Sequence, residues 1–201
     1  MLKYIAQFLS AIFHPLLMPL FGLFLLFNSG IFMFYIPIEV KHSIYVTIFL
    51  STIVLPIILV PFLRFFRLIN NIFMEERRER IFPLMLVSIL YFFTYYWFKH
   101  FAFSTAIQSF MLSITIISLM LFAISFFWKI SMHMAGIGGL TGLIFLISFH
   151  LNTNFIIPVI IVLFISGILG TARLILGSHT ASQVYYGYFL GLVMVLIFTR
   201  F

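Results

Sequence analysis

An all-α bundle of membrane-spanning helices is the fold this sequence predicts, and three observations predict it. Of the 201 residues, 64% are hydrophobic and only 7% are Asp, Glu, Lys or Arg, whereas a soluble domain carries about 25% charged residues. The mean hydropathy is +1.26. Apolar runs long enough to cross hydrocarbon recur along the chain, since about 20 residues at 1.5 Å rise each are needed. A helix is the form such a run takes in lipid, because it satisfies its backbone hydrogen bonds internally. We expect six or seven spans in a single transmembrane domain, residues 1–201, with no linker, repeat or polar domain.

The first span is expected from Ile5 to Phe27. Pro15 and Pro19 lie inside it and predict a kink or an interfacial first segment, and Asn28-Ser29-Gly30 stops it. The second runs from Ser43 to Phe62 and onward toward Phe66, bent by Pro56 and Pro61. Arg64 and Arg67 bring it to a headgroup region. The densest charge run, Glu75-Glu76-Arg77-Arg78-Glu79-Arg80, follows. The third span is Phe82 to Phe98, with Pro83 in the first turn, where a missing N–H is harmless. The fourth is Ala106 to Phe127 and ends at the interfacial pair Trp128-Lys129. The fifth starts near His133 and ends near His150; the sixth covers Phe155 to Gly170; the seventh covers Ser182 to Phe198. The first apolar stretch has no small-residue cleavage site, so it reads as a retained helix rather than a signal peptide.

Composition bounds the chemistry. Cysteine is absent, which excludes a disulfide framework and cysteine metal sites. Eleven Lys and Arg against four acids give a formal charge of +7. That excess suits membrane lipids with anionic headgroups, or phosphate substrates; without a polar domain to gather the bases, nucleic acid is not an expected partner. The histidines show no metal-ligand spacing, so no metal and no other cofactor is expected.

Counting crossings in a seven-span chain brings three polar stretches to one face: residues 75–83, the surroundings of His133, and Arg173 to His179. Arg173 and His179 are six apart, too far for one helix face. Gly177 between them supplies a break, placing one residue at the end of a helix and the other at the start of the next. Gln183, four residues after His179, shares its face, so the amide oxygen can hold one imidazole nitrogen and leave the other free. Ser131 and the start of the fifth helix offer anion donors beside His133. Arg77, Arg78 and Arg80 add guanidiniums, whose fork fits two phosphate oxygens. Two histidines in unlike surroundings with several arginines suit phosphoryl transfer: one attacks phosphorus, the other protonates the leaving oxygen and then activates water.

These residues resemble the motifs of the type 2 phosphatidic acid phosphatase superfamily. Its third motif is Ser-Arg, five residues, His, three residues, Asp; here stand Ala172-Arg173, five residues, His179, three residues, Gln183. Its second, Pro-Ser-Gly-His, is matched by Ile130-Ser131-Met132-His133. Its first, Lys, six residues, Arg-Pro, is matched loosely by Arg77-Arg78-Glu79-Arg80-Ile81-Phe82-Pro83. The resemblance lies within residues 75–191. It implies a phosphohistidine on His179, with His133 as the acid, Arg173 as a phosphate clamp, and Arg80 or Arg77 and Ser131 on the substrate. Gln183 replaces the aspartate and Met132 the glycine.

The function expected is a lipid phosphatase or phosphotransferase, an integral protein of the bacterial inner membrane. Phosphatidic acid, phosphatidylglycerol phosphate and polyprenyl diphosphate are all compatible substrates. A lipid-phosphate binder or flippase on the same scaffold is the alternative suggested by Gln183 and Met132. A transporter or channel fits less well, because the ionisable residues gather at helix ends rather than at midplane. The two indications of sidedness oppose each other. The positive-inside rule places the face bearing Lys3, Arg64, Arg67, the 77–80 cluster, Lys129 and Arg173 in the cytoplasm; the resemblance places it on the outer, periplasmic side.

Overall fold

A computed structural model describes residues 1–30, 36–69, 76–151 and 155–201. Glu75, the first residue of the motif-bearing part, lies outside them. The described residues are helical throughout their ordered elements and include no strand. Seven stretches among them are long and apolar enough to cross a membrane: Leu2–Asn28, Ile38–Phe65, Arg78–His100, Thr105–Ser125, Met132–His150, Ile156–Ile175 and Ala181–Phe198. The chain is an integral membrane protein with a helical-bundle fold.

The first stretch is two helices, not one kinked span. α1 is Leu2–Ile12, a 3-10 turn covers Pro15–Leu17, and α2 is Met18–Asn28. Pro15 has no N–H to continue the ladder and forces the residue before it out of the helical region; His14 is accordingly extended at φ −65°, ψ 138°. α1 lies along α8 (Ile156–Ile175): Leu2, Ile5, Ala6 and Leu9 share a groove with Leu163, Gly167, Thr171 and Ile175. Ser10, just beyond, reaches Arg173. Both helices therefore run toward the same face. The chain turns there, and α2 descends beside α7 (Met132–Leu151), with Met18 near Gly136 and Leu26 in the cluster of Leu143 and Ile147. Lys3 consequently sits at the end of α1 remote from the turn, away from the motif face to which crossing parity assigns it.

The second stretch is α3 (Ile38–Phe49), a π turn over Leu50–Val54, and α4 (Leu55–Phe65). It begins five residues before the expected Ser43, because Glu39, Lys41 and His42 are polar yet helical. Pro56 stands two residues past the π turn, where a missing N–H and a crowding ring disturb the i→i−4 ladder. α5 (Ile81–His100), α6 (Thr105–Ser125) and α9 (Ala181–Phe198) match their expected spans closely. α8 runs on to Ile175, five residues past Gly170, since Thr171 and Arg173 end the apolar run but not the helix.

The core centres on α7, whose contact with α9 is glycine-built. A Cβ on Gly191 would stand 1.9 Å from the Ala135 carbonyl oxygen, and one on Gly138 would stand 2.0 Å from that of Tyr188. Gly187 similarly faces the Ser131 carbonyl at 2.6 Å. Small residues let two backbones approach this closely. The N-terminal ends of α7 and α9, which carry or border His133 and His179, are thereby locked together.

Candidate functional site

The segment between α6 and α7, Phe127 to Ile130, forms the floor of the site through its backbone carbonyls. Arg77 Nη1 donates to Phe127 O at 2.6 Å, and Arg80 Nη1 to Ile130 O at 3.4 Å. His179 Nδ1 lies 3.2 Å from Lys129 O. Three stretches widely separated in sequence thus meet at one set of helix ends. Arg80 closes the short 3-10 turn Arg78–Arg80 that leads into α5, and it is 6% exposed.

His179 is delivered by the turn after α8. Gly177 takes φ +63°, the left-handed conformation that glycine adopts without penalty. Its N–H donates to Leu174 O and the Ser178 N–H to Arg173 O, the bond pair of a Schellman ending. Thr180 then caps α9 in a reciprocal box with Gln183. The Gln183 Oε1 accepts from Thr180 N–H at 3.2 Å and also lies 3.1 Å from His179 Nδ1. Both neighbours of Nδ1 are acceptors, Lys129 O and Gln183 Oε1, so the ring proton sits on Nδ1 and Nε2 keeps its lone pair. Burial, followed by the positive charge of Arg80 and with a smaller share from Arg173, lowers the His179 pKa to about 4. The bonds to Gln183 and Lys129 O pull the other way without prevailing. The ring is therefore neutral at pH 7.

His133 is the second residue of α7. Its Nε2 is 3.1 Å from the Ser10 carbonyl oxygen, to which it donates, leaving Nδ1 for other work. The Ser10 hydroxyl takes the Arg173 Nη1 at 3.1 Å. Arg173 Nε is enclosed and has no hydrogen-bond partner among the described residues. A buried donor left so costs about 1–3 kcal/mol, which an anion oxygen would recover.

These groups open on a cavity of about 1240 Å³. Its polar end carries Ser10, His14, Arg80, Lys129, His133, Arg173, Ser178 and His179, and among the described residues no carboxylate lines it. Its body is apolar. α4 contributes Pro56 to Leu63, α5 contributes Leu84, Val87 and Tyr91, and α6 contributes Phe110 to Leu121. Val195 lines it from fourteen residues inside α9, so it reaches about 20 Å below the helix ends at 1.5 Å per residue.

Of the residues singled out from sequence, Arg80, His133, Arg173 and His179 face this cavity together. Arg77, Ser131 and Gln183 do not line it. Arg77 is spent on Phe127 O. Ser131 is wholly buried, its N–H donating to Gln183 O. Gln183 stands behind His179. Glu79 is buried beside Arg80, but no carboxylate bonds to His179 among the described residues. Two residues outside the three motif stretches, Ser10 and His14, also line it. The spacing of Ser10 and His14, four apart within an apolar run and just before Pro15, was the available signal. The carbonyls of Lys129 and Ile130 left none, because every residue has one. Among the described residues no three His, Asp or Glu side chains gather in a way that could hold a metal ion. No protein-family model, no curated protein and no solved structure matches the chain.

Proposed function

We propose that the protein removes phosphate from a lipid phosphate or diphosphate, by way of a phosphohistidine on His179, in the inner membrane of a bacterium. One observation carries the reading. A single cavity joins a cationic end, holding an imidazole with an unprotonated Nε2, to an apolar body about 20 Å deep. A ligand complementary to it is anionic at one end and hydrocarbon at the other. The inner-membrane assignment rests on the motif resemblance alone.

The chemistry follows from the tautomers. His179 Nε2 attacks phosphorus in line; the N–P bond forms as the bond from phosphorus to the lipid oxygen breaks. Arg80 and Arg173 take up charge on the equatorial oxygens. With the anionic phosphate bound beside it, His133 becomes an imidazolium, keeps its Nε2 proton on the Ser10 carbonyl and gives its Nδ1 proton to the leaving oxygen. It then takes a proton from water, whose oxygen attacks phosphorus and cleaves the N–P bond. Inorganic phosphate and neutral His179 remain. Purified protein is expected to release phosphate from at least one of phosphatidic acid, phosphatidylglycerol phosphate or polyprenyl diphosphate. That release should vanish in His179→Ala and fall sharply in His133→Ala. Release at background level, or release indifferent to both substitutions, rules the enzyme out.

A second reading has its own observation. Nδ1 of His179 faces two neutral oxygens, which orient the ring but give little support to its positive charge during attack. In the serine-protease triad, an amide in place of the orienting carboxylate costs about 10⁴ in rate. A lipid-phosphate binder or flippase is the function that survives such a loss, and lipid binding without turnover would select it.

A further inference from the structure

The cavity's polar end contains a histidine that none of the three motif stretches supplies. His14 lies at the turn between α1 and α2, is an exposed residue, and lines the cavity. Its Nδ1 accepts the Leu16 N–H at 3.3 Å. With that lone pair engaged, the ring proton sits on Nε2, and Nε2 has no protein partner among the described residues. The imidazole stands edge-on to that of His133, with centroids 5.5 Å apart and planes at 82°. One helical turn earlier, Ser10 holds both His133 and Arg173. Pro15 keeps His14 extended, so the side chain is fixed by the same turn that folds α1 back along α8.

We propose that His14 is a substrate-binding residue, donating its Nε2–H to a phosphoryl oxygen of a ligand held by Arg80 and Arg173. The assignment deepens the phosphate reading above and rests on it. The backbone bond at Nδ1 makes this ring a donor of fixed direction. Acting as an acid through Nδ1 would require breaking the bond from Leu16, so the role differs from that of His133. An uncharged donor also suits its place: Arg80, Lys129 and Arg173 already supply cations, and a further bond confers direction without adding repulsion among them.

The test uses the full-length protein in detergent, with inorganic phosphate as the ligand and a lipid phosphate as the substrate. His14→Asn retains a side-chain oxygen able to cap the turn but lacks the distal N–H; His14→Ala lacks both. Arg173→Met marks the phosphate site independently. His14→Asn is expected to melt like the wild type without ligand, to bind phosphate about tenfold or more weakly, and to lose kcat/KM by a similar factor. Wild-type phosphate affinity in His14→Asn, with affinity lost in Arg173→Met, overturns the assignment while leaving the phosphate site standing. Weakened binding in His14→Ala alone assigns the residue to capping and overturns it equally. Failure of the wild type to bind phosphate, or indifference of binding to Arg173→Met, removes the phosphate reading and this inference with it.

Discussion

Acidification should destabilise this protein through His179, and the size of the effect follows from where the ring sits. In the unfolded chain a histidine titrates near 6.5. In the folded site, burial and the Arg80 charge hold the pKa at about 4. Between those values the unfolded state binds a proton that the folded state refuses, so the contribution is intact above about pH 6.5 and drains away as pH falls toward about 4. The ring is 8% exposed, so little solvent screening offsets the effect. The gap between the two pKa values is worth about 3 kcal/mol at about 1.4 kcal/mol for each pH unit. The assay is thermal unfolding in detergent at pH 7 and near pH 4.5, comparing the wild type with His179→Gln, which removes this titration and leaves the others. The wild type should lose more stability on acidification than the variant. Arg80→Met should shrink the difference by letting the folded pKa rise. Equal losses in wild type and His179→Gln would refute the reasoning, because the ring would then not be held neutral.

Two further predictions concern the scaffold. Gly191→Ala should disrupt the α7–α9 contact, since its Cβ would stand 1.9 Å from the Ala135 carbonyl oxygen and backbone cannot rotate aside; a loss above about 3 kcal/mol, read as a fall in melting temperature or in folded yield, is expected. Ala102→Gly should stabilise the protein by about 1 kcal/mol, because Ala102 closes α5 at φ 52° in the same Schellman geometry that Gly177 adopts after α8; an unchanged or lower melting temperature contradicts it.

What the sequence made legible was whatever hydropathy and punctuation encode. Seven apolar runs separated by Arg, Lys, His and Gly predict helices and their ends, and the break at Gly177 was readable because few residues other than glycine take positive φ. Crossing parity also anticipated that residues near 80, 130 and 179 would share a face, and they do, through backbone carbonyls on Lys129 and Ile130. Those carbonyls carry no sequence signal of their own. The fold-back of α1 was hidden for a related reason. Pro15 announces a bend, but the direction of the bend is set by packing against α8, a helix some 140–170 residues later in sequence. Ser10 and His14 stand in sequence among apolar residues of the first span, with no local signal for the helices they meet. Ser131, two residues before His133, is wholly buried, and its backbone carbonyl faces Gly187 in the α7–α9 contact.

The glycine contact between α7 and α9 also decides where this molecule has freedom to change. Backbones held at van der Waals distance cannot slide or separate without losing the contact, so the spacing of the two histidines is a rigid property of the bundle. The opposite wall is built differently: α4 follows a π turn and carries Pro56 and Pro61, and its side chains from Pro56 to Leu63 form much of the hydrocarbon lining. On the proposed lipid-phosphate reading, adaptation to a longer, shorter or branched tail falls to that wall. A changed side-chain volume at Ile57, Leu59, Val60 or Leu63 alters the apolar part of the cavity and leaves Arg80, His133, Arg173 and His179 in place.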